Sequence, residues 1–377
     1  MSEKKIIDAA KIIVKAGVIP FPVSDTLINV LKFKLNEDDF DLILAFKRKL
    51  SQTMEQLKKS SEMSEEEIMK KTEKLAEKGL MFIAPSSSGV VVYRILPVIM
   101  AGLFEYSMMR KLSFSEDEKK LAELFADLLD ETKELMNDKY EFFKSIFEKL
   151  PPLDRTVPIL DKNISGNEIQ ISINKEIETP SEKILPTFRV EALIDKFDDI
   201  AVGHCFCRQH MDLLGNPCKI TEIRENCLIF GKSARFTNKQ GFSRLISKEE
   251  ALDIIKKSEE AGLVHKAFHP RSDIYRDEDS VCNCCEDCCI NFQFWRAGAL
   301  PIINSTNYLS RIDDSLCVGC GTCVEKCPVK AIILTDVNIA KVEEERCLGC
   351  GICAHFCPEG AIALLEGMRK VFFPPLK

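Results

Sequence analysis

The stretch that decides the fold of the C-terminal part of this chain is CVGCGTCVEKCP at positions 317–328, which returns as CLGCGICAHFCP at positions 347–358. Each copy has the pattern Cys-x2-Cys-x2-Cys-x3-Cys-Pro, and the two copies are offset by thirty residues. The glycines repeat as well, Gly319 and Gly321 in the first copy and Gly349 and Gly351 in the second. A repeat of this kind indicates two equivalent metal-binding loops in one small domain.

The spacing within each copy has a physical reason. Three thiolates two residues apart lie on a tight loop around one face of a cubane, so a fourth ligand must come from elsewhere. Glycines allow the backbone to pass close to the cluster, and their amides can donate hydrogen bonds to its sulfides. Zinc sites use two Cys-x2-Cys pairs or histidine partners and do not need this run, so we expect iron rather than zinc here.

Residues 305–370 resemble the bacterial-type ferredoxins that carry two [4Fe-4S] clusters, in which the fourth cysteine of each copy ligates the other cluster. The resemblance implies two ligand sets. The first is Cys317, Cys320, Cys323 and Cys357. The second is Cys347, Cys350, Cys353 and Cys327. His355 lies inside the second copy, but four cysteines already complete each set, so we interpret it as a surface neighbour.

All seventeen cysteines of the chain lie between Cys205 and Cys357, and nine of them precede the repeat. They stand in tight groups rather than at the spacings of a disulfide framework, which in a reducing cytoplasm indicates metal. The nine candidate ligands are Cys205, Cys207, Cys218, Cys227, Cys282, Cys284, Cys285, Cys288 and Cys289.

Five of these nine cysteines fall within eight residues, and neighbouring cysteines cannot all point at one ion. Some of them must face different metals or remain free. We expect one or two further iron–sulfur clusters, with zinc or another structural metal as the alternative because mixed histidine and cysteine sets suit it. The block resembles a segment that precedes a ferredoxin module in iron–sulfur proteins of anaerobic archaea and bacteria, and this resemblance implies no particular activity.

Two kinds of basic residue accompany the central cysteines. Arg208 follows Cys207 and is interpreted either as a cation that offsets the charge of a reduced cluster or as part of a surface salt bridge. The histidines of this region have no spacing that marks a base or a ligand, so we expect partly exposed polar side chains. They are His204, His210, His265 and His269.

The first 150 residues contain no cysteine and have a helical pattern of apolar residues. A capping box at Ser64 and Glu67 predicts the start of a helix, and apolar runs at 80–84 and 90–96 flank a turn of serines, which predicts a hairpin. Residues 40–97 resemble a winged helix in this order of elements. The helix at 64–78 mixes lysines with glutamates and the wing has no arginine or lysine, so we expect docking or homodimerisation rather than DNA binding.

The sequence predicts an α+β protein of several domains. These are a winged-helix-like domain at 1–112, a helical segment and linker at 113–189, a cysteine-rich metal-binding domain at 190–304 and a ferredoxin domain at 305–377. In the linker, residues 169–173 alternate like a strand of a hairpin. No uncharged run approaches the roughly 18 to 20 residues of a membrane span, and we find no export signal, so we expect a cytoplasmic protein.

Three functions fit these features. A net charge of −7 opposes attraction to nucleic acid and suits docking to proteins, which favours a carrier that relays low-potential electrons to or from a partner oxidoreductase. The first alternative is a redox-sensing transcription regulator in which cluster state controls the winged helix. The second is a reductase with its own substrate site in the central domain, although no nucleotide-binding glycine run accompanies the cysteines. An electron-transfer component is favoured over a stand-alone enzyme.

Overall fold

The computed structural model describes residues 3–17, 22–86, 88–149, 151–152, 154–159, 162–173, 189–269 and 277–376. The helices are α1 (Glu3–Lys15), α2 (Asp25–Lys34), α3 (Glu37–Leu44), α4 (Met54–Ser61), α5 (Glu65–Glu77), α6 (Leu103–Met109), α7 (Glu116–Asp138), α8 (Tyr140–Phe147), α9 (Val190–Asp195), α10 (Phe206–Leu213), α11 (Gly231–Lys239), α12 (Lys248–Glu260), α13 (Ile290–Arg296), α14 (Thr322–Lys326) and α15 (Ile352–His355). The strands are β1 (Ser51–Thr53), β2 (Met81–Pro85), β3 (Val91–Ile95), β4 (Asp154–Val157), β5 (Ile171–Ile173), β6 (Ile200–His204), β7 (Glu225–Phe230), β8 (Arg244–Ile246), β9 (Val264–Phe268), β10 (Ser280–Cys284), β11 (Ile302–Ile312), β12 (Ile332–Leu334), β13 (Ala340–Val342) and β14 (Ile362–Phe373).

The chain forms two compact units, each assembled from separate stretches. The first unit contains Met1–Glu134, Ala201–Pro217 and Lys232–Leu245. The second contains Leu135–Ile200, Cys218–Gly231 and Ile246–Lys377. None of the described helices is both long and apolar enough to cross a membrane.

In the first unit, α3, β1, α4, α5, β2 and β3 follow one another along the chain, and the strands form an antiparallel sheet in the order β1-β3-β2. The capping box at the start of α5 is present. Ser64 Oγ accepts from the amide of Glu67 at 3.3 Å, and Glu67 Oε2 accepts from the amide of Ser64 at 3.0 Å. The predicted hairpin is present as β2 and β3, although Ser87 in its turn lies outside the described residues.

The helix α10, which carries Cys207, packs within the same unit against α6. The Phe104 ring meets the His210 ring edge-on, with 5.2 Å between centroids. Gln209 Nε2 donates to the carbonyls of Met108 and Arg110, the latter at 2.8 Å. These contacts anchor the first pair of central cysteines to the N-terminal part of the chain.

The second unit is built on a mixed sheet with the strand order β5-β14-β11-β4-β9-β10-β7. The longest pairing joins β11 and β14 in antiparallel fashion, from Ile302 opposite Phe373 to Ile312 opposite Ile362. A separate antiparallel pair, β12 and β13, lies between the two cysteine repeats. The long strands β11 and β14 thus flank the ferredoxin-type loops and hold their two ends side by side.

Two further expectations meet the structure in this part of the chain. The predicted helical stretch at 116–150 is a pair, α7 and α8. The strand predicted at 169–173 is present as β5 at Ile171–Ile173, which pairs in parallel with β14 at Leu364–Glu366, and the hairpin stays a prediction. Most of the predicted linker, residues 174–188, lies outside the described residues.

Candidate metal centres

The first group of repeat cysteines lines one cavity with an empty volume of about 360 Å³, part of it open solvent. Its cysteines are Cys317, Cys320, Cys323 and Cys357. Cys320 is the exposed member, and hydrogen bonding to the Thr322 hydroxyl, 3.4 Å away, lowers the pKa of its thiol. Burial, followed by the charges of the other three cysteines, raises the pKa of Cys323 to about 11.

The second group is more deeply enclosed. Burial raises the pKa of Cys353, and the charges of Cys347, Cys350 and Cys327 raise it further. Ser310 Oγ lies 3.2 Å from Cys353 Sγ. The structure therefore gathers three cysteines of each repeat copy with the fourth cysteine of the other copy.

Backbone amides point at the cysteine sulfurs of both groups. The amide of Ala331 donates to Cys327 Sγ at 3.2 Å, and the amide of Ala361 donates to Cys357 Sγ at 3.3 Å. Such bonds favour the thiolate, which is the form that ligates a metal. Buried thiols that already accept amide hydrogen bonds fit iron–sulfur clusters, which supply one-electron redox chemistry when bound.

The two loops differ in how tightly they are packed. Gly321 and Gly351 precede α14 and α15 with φ values of 79° and 77°, a region that favours glycine. A Cβ on Gly351 would lie 2.5 Å from the carbonyl oxygen of Ile159, whereas a Cβ on Gly321 would meet only Leu334 Cδ1 at 3.7 Å. The second loop is thus pressed against residue Ile159, whose amide donates to the carbonyl of Cys350 at 2.9 Å.

An arginine outside the repeat fixes the start of the second loop. Arg369 on β14 donates to the carbonyls of Cys347, Glu344 and Tyr308, the last two at 2.7 and 3.3 Å. Tyr308 stands directly after the register shift of β11 against β14, which falls between Thr306 and Tyr308. Sequence spacing alone gives no sign of this residue.

Three central cysteines, which we call the turn set, meet in the second unit. They are Cys218, Cys285 and Cys288, whose sulfurs all lie within 4.8 Å of one another. Cys218 Sγ and Cys285 Sγ are 3.7 Å apart. Two thiolates on one tetrahedral zinc ion, each at about 2.3 Å, stand about 3.8 Å apart. The turn set therefore has the spacing of ligands to a single ion.

Asp287 ties the two chain segments of the turn set together. Its Oδ2 accepts from the amide of Lys219 at 2.8 Å and lies 3.5 Å from Cys288 Sγ. Hydrogen bonds from the Cys285 and Cys288 thiols lower the pKa of Cys218. The same hydrogen bonds to Cys218 and Cys285 raise the pKa of Cys288.

The other central cysteines are distributed between the units. Cys282 and Cys284 lie on β10, Cys289 precedes α13, and Cys227 lies on β7, all in the second unit. Cys205 and Cys207 belong to the first unit, where Cys205 is the residue before α10.

Three expectations about basic residues are wrong. The Arg208 side chain is fully buried, which excludes a surface salt bridge. His210 and His265 are buried rather than partly exposed, because His210 packs on α6 and α7 and His265 faces Asn283 on the neighbouring strand. Burial lowers the pKa of His210.

Sequence reasoning misses a buried ion pair in the second unit. Lys266 on β9 is 2 % exposed, and its Nζ lies 2.7 Å from Asp154 Oδ2 on β4. Burial works against the charge of Lys266, but Asp154 and the sulfurs of Cys284 and Cys289 raise its pKa above the ordinary value. A lysine inside the apolar run 263–268 is the one signal that would have drawn attention to it.

Residues 310–364 match the family model described as a 4Fe-4S dicluster domain. The C-terminal part of the chain is therefore a ferredoxin-like 4Fe-4S module with iron–sulfur cofactors. No curated protein and no solved structure matches the chain. The match covers the repeat and leaves the N-terminal part and the central cysteines outside it.

Proposed function

We propose that this protein is an iron–sulfur electron-transfer protein that relays low-potential electrons between its own metal sites and a partner oxidoreductase. The observation that carries the proposal is the gathering of the eight repeat cysteines into two crossed groups, which are the proposed ligand sets of two [4Fe-4S] clusters. Cysteine-ligated clusters of this kind exchange single electrons without a change of ligands.

The two groups differ in access, which supports a direction along the molecule. The first group has the exposed Cys320 next to Val318, which is 64 % exposed. In the second group, Cys327, Cys347 and Cys353 are buried. The partner would dock at the first group, and the second group would connect it to the interior.

Two of the central cysteines lie in or against the same core as the module. Cys289 belongs to one hydrophobic core with Cys347 and Cys353, and Cys284 packs against that core. Lys330, three residues after Cys327, forms an ion pair with Glu286 at 3.2 Å. Central iron–sulfur clusters, with zinc as the alternative, would therefore border the same core as the second group.

Voltammetry of the full-length protein, purified without oxygen, tests this function. Reversible one-electron steps are expected within the range of cysteine-ligated clusters, about −700 to +450 mV. Protein stripped of metal by a chelator is the control and should give no such steps. Bound iron that takes up no electrons reversibly would contradict the electron-transfer function.

A redox sensor is the second candidate. The order α3, β1, α4, α5, β2, β3 and the three-stranded sheet support a winged helix, and Cys207 stands on a helix packed against α6. The proposed recognition helix α5 argues against DNA, because its Glu73 accepts from Lys239 and Gln240 and its Lys71 pairs with Asp38 at 3.5 Å. Docking or homodimerisation therefore remains the favoured role of this part. The reductase interpretation stays a prediction.

Selection of genomic DNA fragments on the full-length protein, with and without dithionite, separates the two candidates. The electron-transfer function predicts no specific site in either state. One specific site bound at nanomolar affinity in a single redox state would establish the sensor instead.

A further inference from the structure

We propose that four cysteines of the second unit, which we call the sheet set, bind a [4Fe-4S] cluster that is separate from an ion at the turn set. The sheet set is Cys227, Cys282, Cys284 and Cys289. This proposal rests on the proposed function to the extent that the function places metal in the central region. It goes beyond that function by stating which cysteines share each central site and which metal group each site binds.

Strand geometry puts three members of the sheet set on one face. Cys282 and Cys284 are two residues apart on β10, so they point to the same side of the sheet. β10 pairs with β7 with Val281 opposite Leu228, and continuing this register places Cys227 opposite Cys282. Opposite residues of an antiparallel pair share a face, with Cβ atoms about 4.5 to 5.5 Å apart.

The turn after β10 returns the fourth member to this face. Cys289 precedes α13, and the thiols of Cys282 and Cys289 both hydrogen-bond with that of Cys284. Neighbouring cysteines are divided accordingly: in the pairs 284–285 and 288–289, the inner residues Cys285 and Cys288 join the turn set. One short segment therefore supplies both sites, the inner pair of cysteines to the turn set and the three outer ones to the sheet set.

The sulfur spacings of the two sets differ. Among the described residues, the turn set is the group of three cysteines whose sulfurs all lie within 4.8 Å. Neither the sheet set nor the two groups of the ferredoxin module, all of whose cysteines the structure describes, reaches this spacing. Cys282 and Cys284 are two residues apart on β10, a separation that puts their Cα atoms about 6.7 Å apart. Because a cubane is larger than one ion, a set in which Cys282 and Cys289 each contact Cys284 but the sulfurs do not all lie within 4.8 Å of one another fits a cluster.

A buried cation stands beside the sheet set. Lys266 is paired with Cys282 across β9 and β10, so it shares the cysteine-bearing face. Its Nζ contacts Asp154 and lies 5.3 Å from the centre of the Phe292 ring. Four thiolates around a cluster carry net negative charge, and buried charge is tolerated where an opposite charge is held close. Lys266 therefore acts as a positioning residue that presents the positive end of a buried ion pair to the cluster, with Asp154, which also interacts with Cys289, as the negative end.

The first experiment compares Cys284→Ser with its neighbour Cys285→Ser in the full-length protein, purified without oxygen and analysed for iron, sulfide and zinc. Cys284→Ser should lose about four irons and four sulfides, the content of one cubane. Cys285→Ser should lose one metal ion and keep its sulfide. Cys289→Ser should behave as Cys284→Ser does, and Cys288→Ser as Cys285→Ser does.

The outcomes separate this proposal from the proposed function. If both neighbouring variants lose the same metal, the division into two sites is wrong while central metal remains. If Cys284→Ser loses no sulfide, the cluster at the sheet set is wrong. If the unaltered protein holds about eight irons, the content of two cubanes, and no other metal, central metal is absent and both the relay and this proposal fail.

The second experiment tests Lys266 through a reduction potential. Lys266→Met should favour the oxidised form of the sheet-set cluster by about tenfold, which for one electron is a fall of about 59 mV. Lys266→Arg keeps the charge and should restore the potential, and Lys256→Met, which removes an exposed lysine, should leave it unchanged. An unchanged potential in a Lys266→Met protein that retains its full iron content would overturn the role of Lys266.

Discussion

The ferredoxin module and the central cysteine region both bring thiols together, but the module does so with two loops and the central region with strands, turns and separate segments. In the module, each loop carries three cysteines at fixed intervals, and β11 and β14 hold the loop ends together. In the central region, the turn set joins a loop cysteine with two cysteines of a turn, and the proposed sheet set depends on the register between β7 and β10. Loop sites are therefore visible in a sequence, whereas sheet sites are visible only once the strands are paired.

The largest expected effect comes from removing a fourth ligand that one repeat copy is proposed to supply to the cluster of the other copy. Cys327→Ser should remove the cluster proposed at Cys347, Cys350 and Cys353, a loss of about four irons, because serine is a poor substitute for a thiolate. The remaining cluster should be the one that a chelator removes first from unaltered protein, since it includes the exposed Cys320.

Cys357→Ser is the matched control for this exchange and should spare the opposite cluster. Iron analysis and the rate of chelation measure both variants. If each variant lost the cluster of its own repeat copy, the crossed ligand sets would be wrong and the two loops would be independent sites.

A smaller effect concerns the packing of the two loops. Gly351→Ala should destabilise the protein more than Gly321→Ala, because both incur the cost of a left-handed alanine, about 1–2 kcal/mol, but only residue 351 meets a backbone carbonyl. Anaerobic urea unfolding of the full-length protein measures the difference. Equal losses in the two variants would show that the second loop is no more constrained than the first.

The smallest effect extends the comparison to α10 in the first unit, which carries Cys207. Burial lowers the pKa of His210 below its unfolded value of about 6.5, so its contribution to stability is present above that pH and is lost as the pH falls. Each tenfold difference in proton affinity between the folded and unfolded states changes the free energy of unfolding by about 1.4 kcal/mol.

His210→Gln removes the titrating group and keeps a possible donor to the carbonyl of Ala122, which His210 Nε2 approaches at 2.9 Å. The free energy of unfolding between pH 7 and pH 5 should therefore fall less steeply in the variant than in the unaltered protein. If the free energy of unfolding fell equally steeply with pH in the variant and the unaltered protein, the fold would not be holding His210 neutral.

Much of the local structure follows from the sequence alone. The capping box at Ser64, the β2–β3 hairpin and the ferredoxin-like module are predictable because caps, turns and cysteine loops depend on residues close in sequence. The parallel pairing of β5 with β14 is not, because nothing near β5 specifies a partner some 190 residues later.

The candidate sites divide in the same way. The cysteines of the repeat can be recognised from their spacing in the sequence. Arg369 and the Lys266–Asp154 pair cannot, because only contacts between distant segments place them near the candidate sites. The division of Cys284 from Cys285 depends on which way each side chain points from β10 and its turn. A sequence indicates that such neighbours cannot share an ion, but not which partner each one takes.

The central claim is that the metal sites of the second unit form one relay. Electron paramagnetic resonance of the fully reduced, full-length protein, recorded beside the Cys284→Ser variant, tests it most directly. The account predicts more than about eight irons in the unaltered protein and spin coupling between the ferredoxin module and a central cluster, which Cys284→Ser removes while the module signals persist. About eight irons with stoichiometric zinc, and module signals identical in the two proteins, would contradict it.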